Sequence, residues 1–120
     1  MIKLDHLTLR VSNCAISRDW YIHTLGLSKE FEIPGRQVVA LQDSEGFTLL
    51  LEQSGQQLAA ACVLTFQVAS VDETYSRLSR EGVAFAVSHA KQFWGYGAEL
   101  RDPDGYPVRL WDPVSMKEKG

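Results

Sequence analysis

Two residues, His6 and Glu52, could work as an acid and a base, provided both reach one substrate proton. Arg10 and Arg109 are fixed cations whose planar fork matches a carboxylate or a phosphate. Thr8, Thr65 and Gln67 would add hydrogen-bonding groups. Trp94, Tyr96, Trp111 and Phe93 could supply flat apolar walls, and Leu50 a further contact. A few placed polar groups among aromatic surfaces make up the usual small-molecule pocket. Each residue also has a plainer role open to it. His6 could be a half-buried histidine bonded to Glu52 or to a carbonyl. Arg109 could pair with Glu52 or Glu99 across a sheet. Trp111 could cap the sheet or pack at a dimer interface. His89 reads as an exposed histidine ahead of a Lys91-Gln92-Phe93-Trp94 loop.

The elements that must position these side chains follow from the pattern. Residues 4–11 alternate, with Leu7, Leu9 and Val11 on one face and His6, Thr8 and Arg10 on the other. Ser12-Asn13 can cap a helix carrying Ala15, Ile16, Trp20, Tyr21 and Leu25, which Gly26 stops. Strands are expected at 27–33, 36–42 and 47–53, with a Pro34-Gly35 turn between the first two. The pattern then restarts: a strand at 63–68, a helix from Ser70 to Gly82, and strands at about 83–88, 94–101 and 106–112. The repeat is visible in the residues. Leu7-Thr8-Leu9-Arg10-Val11 lies over Leu64-Thr65-Phe66-Gln67-Val68. Asp43-Ser44-Glu45-Gly46-Phe47 lies over Asp102-Pro103-Asp104-Gly105-Tyr106. Module one is thus expected at about 3–53, a linker at 54–60, module two at about 61–112 and a tail at 113–120, all in one domain of 120 residues.

Composition narrows the function class. The chain is 45% hydrophobic and 22% charged, with a net charge of −3. No basic run is present, and the sign is wrong for a phosphate backbone, so no nucleic-acid partner is expected. No apolar stretch reaches the roughly 20 residues of a membrane helix. The N-terminus runs straight into a strand pattern, so a cytoplasmic location without a leader is expected. Cys14 and Cys62 lack zinc-type spacing and read as reduced thiols.

Taken together, Asp5-His6-Leu7-Thr8-Leu9-Arg10-Val11, Trp20-Tyr21-Ile22-His23-Thr24-Leu25-Gly26-Leu27 and Asp102-Pro103-Asp104-Gly105-Tyr106 resemble the vicinal oxygen chelate superfamily. That group holds glyoxalase I, extradiol dioxygenases, and fosfomycin- and bleomycin-resistance proteins. The resemblance implies an α+β fold of two βαβββ modules, a U-shaped mixed sheet around a cleft, and a homodimer. It also implies which faces line the cleft: Thr48, Leu50 and Glu52 from the fourth strand, and Pro107, Arg109 and Trp111 from the eighth. The seventh strand would add either Trp94 and Tyr96 or their neighbours.

Metal-dependent relatives place one ligand on each of strands one, four, five and eight. Here His6 occupies the first position, Val63 the partner position on strand five, Leu50 the fourth-strand position and Arg109 the eighth. Glu52 lies two residues beyond Leu50 on the same face, so a metal, if bound, would rest on His6 and Glu52. Arginine cannot ligate a cation. At ~5 Å its charge would cost a bound ion roughly 3 kcal/mol or more at an effective dielectric near 20. Catalytic sites typically keep three protein donors. The expectation is a metal-free cleft that binds a small aromatic or anionic molecule. Two alternatives stand beside it: a divergent lyase, isomerase or dioxygenase, with or without a divalent metal, and a dimeric interaction module without catalysis.

Overall fold

The computed structural model describes residues 3–55 and 62–120. The expected linker at 54–60 and the start of module two fall mostly outside them. The chain divides into two compact units, residues 1–59 and 60–120. Each is built as a strand, a helix and three further strands.

In unit one, β1 (His6–Val11) is followed by α1 (Cys14–Leu25), β2 (Ser28–Ile33), β3 (Val38–Gln42) and β4 (Thr48–Gln53). The sheet order is β1-β4-β3-β2, with β1 parallel to β4 and the other pairs antiparallel. The α1 helix starts where Asn13 Oδ1 accepts from the Ile16 N–H at 3.0 Å, and it ends at Gly26 with φ +76°. It packs on β3 and β4. Leu9, Val11, Val39, Leu41, Leu49 and Leu51 are buried, as is Tyr21 of the helix. Trp20 meets the Tyr21 ring edge-on at 4.9 Å. Phe47, the expected first residue of the fourth strand, lies just before β4 and is 36% exposed.

Unit two repeats the plan: β5 (Leu64–Gln67), α2 (Val71–Arg80), β6 (Phe85–Gln92), β7 (Gly95–Arg101) and β8 (Pro107–Trp111), in the order β5-β8-β7-β6. The repeated turn has one geometry in both halves. Asp43 Oδ1 accepts from the N–H groups of Glu45 and Phe47, and Asp102 Oδ1 from those of Asp104 and Tyr106, all at 2.9 Å. Gly46 and Gly105 close these turns at φ +83° and +88°, which disfavours any residue with a Cβ.

Two departures from the sequence reading lie in unit two. First, β6 runs to Gln92, four residues beyond its expected end, through a register shift between Val87 and Ala90. His89 is therefore a strand residue, and the hairpin tip shrinks to Phe93-Trp94. Second, the expected tail folds as α3 (Pro113–Lys119). Asp112 is its N-cap and Pro113 its first residue, a pairing suited to a helix start. The 1%-exposed Asp112 carboxylate accepts from Ser115 N–H at 2.7 Å and also from Val71 N–H at 2.8 Å, so it caps α3 and α2 at once. No helix among the described residues is long and apolar enough to cross a membrane.

Candidate functional site

Pleating decides which side chains leave the core. In unit one, α1 covers the Leu49–Leu51 face of the sheet, so the opposite face presents His6, Thr8 and Arg10 from β1 and Thr48, Leu50 and Glu52 from β4. The parallel register pairs His6 with Thr48, Thr8 with Leu50, and Arg10 with Glu52. His6 and Glu52 thus stand four residues apart along neighbouring strands, about 13 Å at roughly 3.3 Å per residue. That separation stands against the pairing expected from the sequence, in which both would reach one substrate proton or one metal ion. His6 Nδ1 instead lies 3.0 Å from Asp5 Oδ2 on an exposed strand end. Glu52 faces Arg10 at 3.8 Å. Thr48, beside His6, donates from Oγ1 to Glu30 at 2.9 Å.

In unit two, the face opposite α2 presents Thr65 and Gln67 from β5, Arg109 and Trp111 from β8, and Glu99 and Arg101 from β7. Thr65 is paired with Arg109, Gln67 with Trp111, and Arg109 with Glu99 on its other side. A row Thr65–Arg109–Glu99 therefore crosses three strands. Arg109 Nε donates to Glu99 Oε1 at 3.0 Å, one of the two plain partners the sequence offered it. Arg101 Nη2 reaches Glu99 Oε2 at 3.2 Å. Two cations around one carboxylate leave this patch with a net positive charge.

The aromatic tip closes on the same row. The Arg109 guanidinium carbon lies 5.1 Å from the Trp94 ring centre and 5.5 Å from that of Phe93. Trp94 reaches it because Gly97 lacks a side chain: a Cβ there would run into the Trp94 ring and the Leu110 carbonyl oxygen. Phe93 is 93% exposed.

Tyr96 does not join them. It lies on the opposite face of β7, buried with Val71 and Ala98 and bordered by Val68, Tyr75 and Phe85. Its hydroxyl donates to Asp72 Oδ1 at 2.6 Å. The sequence could not fix the facing of β7, because Gly95-Tyr96-Gly97-Ala98 has no clean apolar alternation. The same carboxylate takes His89 Nδ1 at 2.7 Å and Lys119 Nζ at 2.9 Å. These bonds, led by the Tyr96 hydroxyl, hold the Asp72 carboxyl well below the usual range, and they raise Tyr96 and Lys119 above theirs.

The thiols lie apart from this chemistry. Burial pushes the Cys14 thiol up, and its Sγ points at the Leu51 carbonyl oxygen. Among the described residues, each unit also carries a surface recess. One, of about 530 Å³, borders α2 at Ser70, Glu73, Arg77 and Arg80. The other, of about 410 Å³, lies at the start of α1 beside the Arg18–Glu32 ion pair.

The four family ligand positions do not fit a divalent ion. His6 carries an imidazole, Leu50 and Val63 carry hydrocarbon chains with no donor atom, and Arg109 carries a guanidinium that cannot ligate a cation. Among the described residues no group of three or more His, Cys, Asp or Glu side chains comes together.

Comparison with known proteins agrees with this architecture. An integron cassette protein from the mobile metagenome of a Halifax Harbour sewage outfall superposes with a TM-score of 0.78 at 18% identity, over 92% of this chain and 97% of that one. A possible glyoxalase from Bacillus cereus gives 0.74 at 20% identity, over 92% and 98%. The lactoylglutathione lyase of Agrobacterium tumefaciens gives 0.74 at 18%, over 92% and 93%. At such identities the likeness is one of fold. No curated protein matches the sequence significantly. The family model described as Glyoxalase/Bleomycin resistance protein/Dioxygenase superfamily matches residues 3–110, and with two βαβββ units in the structure the chain belongs to that superfamily.

Proposed function

We propose that this protein binds a small aromatic or anionic organic molecule without a metal, using the Arg109 row of unit two as its recognition surface. The observation that carries the reading is the Arg109 guanidinium, held against Trp94 and Phe93 and flanked by Thr65 and Glu99. The bond to Glu99 uses Nε, and a guanidinium has four further N–H donors with which to meet an anion. Trp111 and Gln67, paired one step along the strands, extend the surface with a flat ring and an amide. Within unit one, Thr8, Arg10 and Leu50 lie on the sheet face that α1 leaves open and are proposed as ligand contacts of that unit, and a homodimer is the expected assembly. The superfamily often uses a divalent metal, but the residues at its ligand positions here argue against one.

The test is a thermal-shift screen of aromatic carboxylates and organic phosphates, with and without nickel, zinc, iron or manganese. Stabilisation by an aromatic anion in metal-free buffer, abolished in Arg109→Gln, supports the reading. Stoichiometric metal in the purified protein, or stabilisation only when metal is added, overturns it in favour of a metal-dependent lyase, isomerase or dioxygenase.

A further inference from the structure

We infer that Asp72, outside the candidate recognition surface, is the positioning residue that fixes the Phe93–Trp94 tip against Arg109. This inference rests on the reading of that tip as a wall of the binding surface.

A two-stranded hairpin end is held weakly unless something braces it, because its outermost residues have few neighbours. Here both strands of the β6–β7 hairpin are tied to one carboxylate. His89 lies four residues before the tip on β6, and Tyr96 two residues after it on β7. Both bond to Asp72 Oδ1, at 2.7 and 2.6 Å. The His89 ring is further clamped by stacking on Tyr75 at 4.2 Å and 11°. The register shift between Val87 and Ala90 gives His89 its place at this carboxylate.

The second oxygen of Asp72 brings in the C-terminal helix. Lys119 Nζ bonds Oδ2 at 2.9 Å and lies 4.9 Å above the Tyr96 ring centre. From the same helix, Met116 presses on Gly95, directly beside the tip. Gly95 has φ +123°, and a Cβ there would overlap the Met116 sulfur. The hairpin is therefore held at His89 on β6 and at Tyr96 and Gly95 on β7. Bonds to an ionised carboxylate are strong, and a shared acceptor couples them. Loss of the carboxylate charge should weaken the His89, Tyr96 and Lys119 bonds together and let the Trp94 ring leave Arg109.

The experiment uses the full chain labelled with 5-fluorotryptophan and free of ligand, so its outcome does not depend on the Proposed function being right. The Trp94 fluorine signal is assigned by its loss in Trp94→Phe. We expect Asp72→Asn to shift and broaden that signal while the Trp20 signal stays in place. Asp72→Glu should restore part of the native position, and Glu73→Gln, one residue along the helix, should leave it unchanged. Should Asp72→Asn fail to fold, Lys119→Met removes only the Oδ2 brace and should move the signal the same way by less. A Trp94 signal at its native position and width in folded Asp72→Asn, or in Lys119→Met, overturns the inference and leaves Asp72 a contributor to stability alone.

Discussion

Arg109 and Glu99 face each other across the β8–β7 pair, joined by a 3.0 Å bond from Nε to Oε1 on the sheet face that α2 does not cover. Glu99 is 8% exposed, and both Arg109 and Arg101 reach its carboxylate. Glu99→Ala leaves two adjacent cations without their shared partner. It should lower stability by about 1.5–3 kcal/mol, the range for bonds to charged groups. It should also loosen Arg109 from Trp94. Urea unfolding reads the first effect, and iodide quenching of Trp94 fluorescence the second. Native stability in Glu99→Ala would mean the pair is energetically idle.

Asp112 joins two helices through one side chain. Its two oxygens cap α2 at Val71 and α3 at Ser115. A lost cap costs about 1 kcal/mol and up to 2. Asp112→Ala should therefore cost about 2–4 kcal/mol by urea unfolding, well above a single-cap control such as Asn13→Ala in α1. Equal losses from the two substitutions would show that one of the Asp112 bonds contributes nothing.

Much of this was legible in the chain. Alternation placed His6, Thr8 and Arg10 on one face of β1, and Thr48, Leu50 and Glu52 on one face of β4, because a strand with one buried face must alternate. Alternation gives facing and not the distance between strands. The separation of His6 from Glu52 is set by the β1–β4 register, which depends on how α1 and its turns return the chain. On β7 even facing was hidden, since Gly and Ala suit either side, and Tyr96 went inward for a partner on a helix two dozen residues upstream. The α3 helix had a local signal in Asp112-Pro113, but its short apolar face carried little weight beside a charged end.

The register yields its own prediction. Residues more than about 10 Å apart with no shared partner change stability additively, within about 0.3–0.5 kcal/mol. His6→Ala and Glu52→Ala should therefore show no coupling beyond that in a urea double-mutant cycle. Arg10→Ala with Glu52→Ala should couple weakly, by less than about 1 kcal/mol, as partly exposed pairs do. Coupling between His6 and Glu52 above 1 kcal/mol would contradict the β1–β4 register.

The pH dependence of stability should pass through Asp72 at both ends of the scale. Asp72 is held below the usual carboxyl range, chiefly by the Tyr96 hydroxyl and then by His89 and Lys119. Asp112 is also depressed: burial alone would raise it, but the Ser115 and Val71 N–H groups outweigh that. A depressed carboxyl gives stability that is present above its unfolded value, about 3.9, and lost as pH falls through the folded one. The protein should thus weaken below about pH 4. Tyr96 and Lys119 are raised, in both cases first by their bond to Asp72. A raised group gives stability that is present below its unfolded value, about 10, and lost as pH climbs through the folded one. One substitution, Asp72→Asn, should therefore flatten Tm against pH on the acid limb and on the alkaline limb together. Asp112→Asn should flatten the acid limb alone. An Asp72→Asn profile parallel to that of the unmutated protein at both ends would show that the carboxylate does not carry these linked shifts.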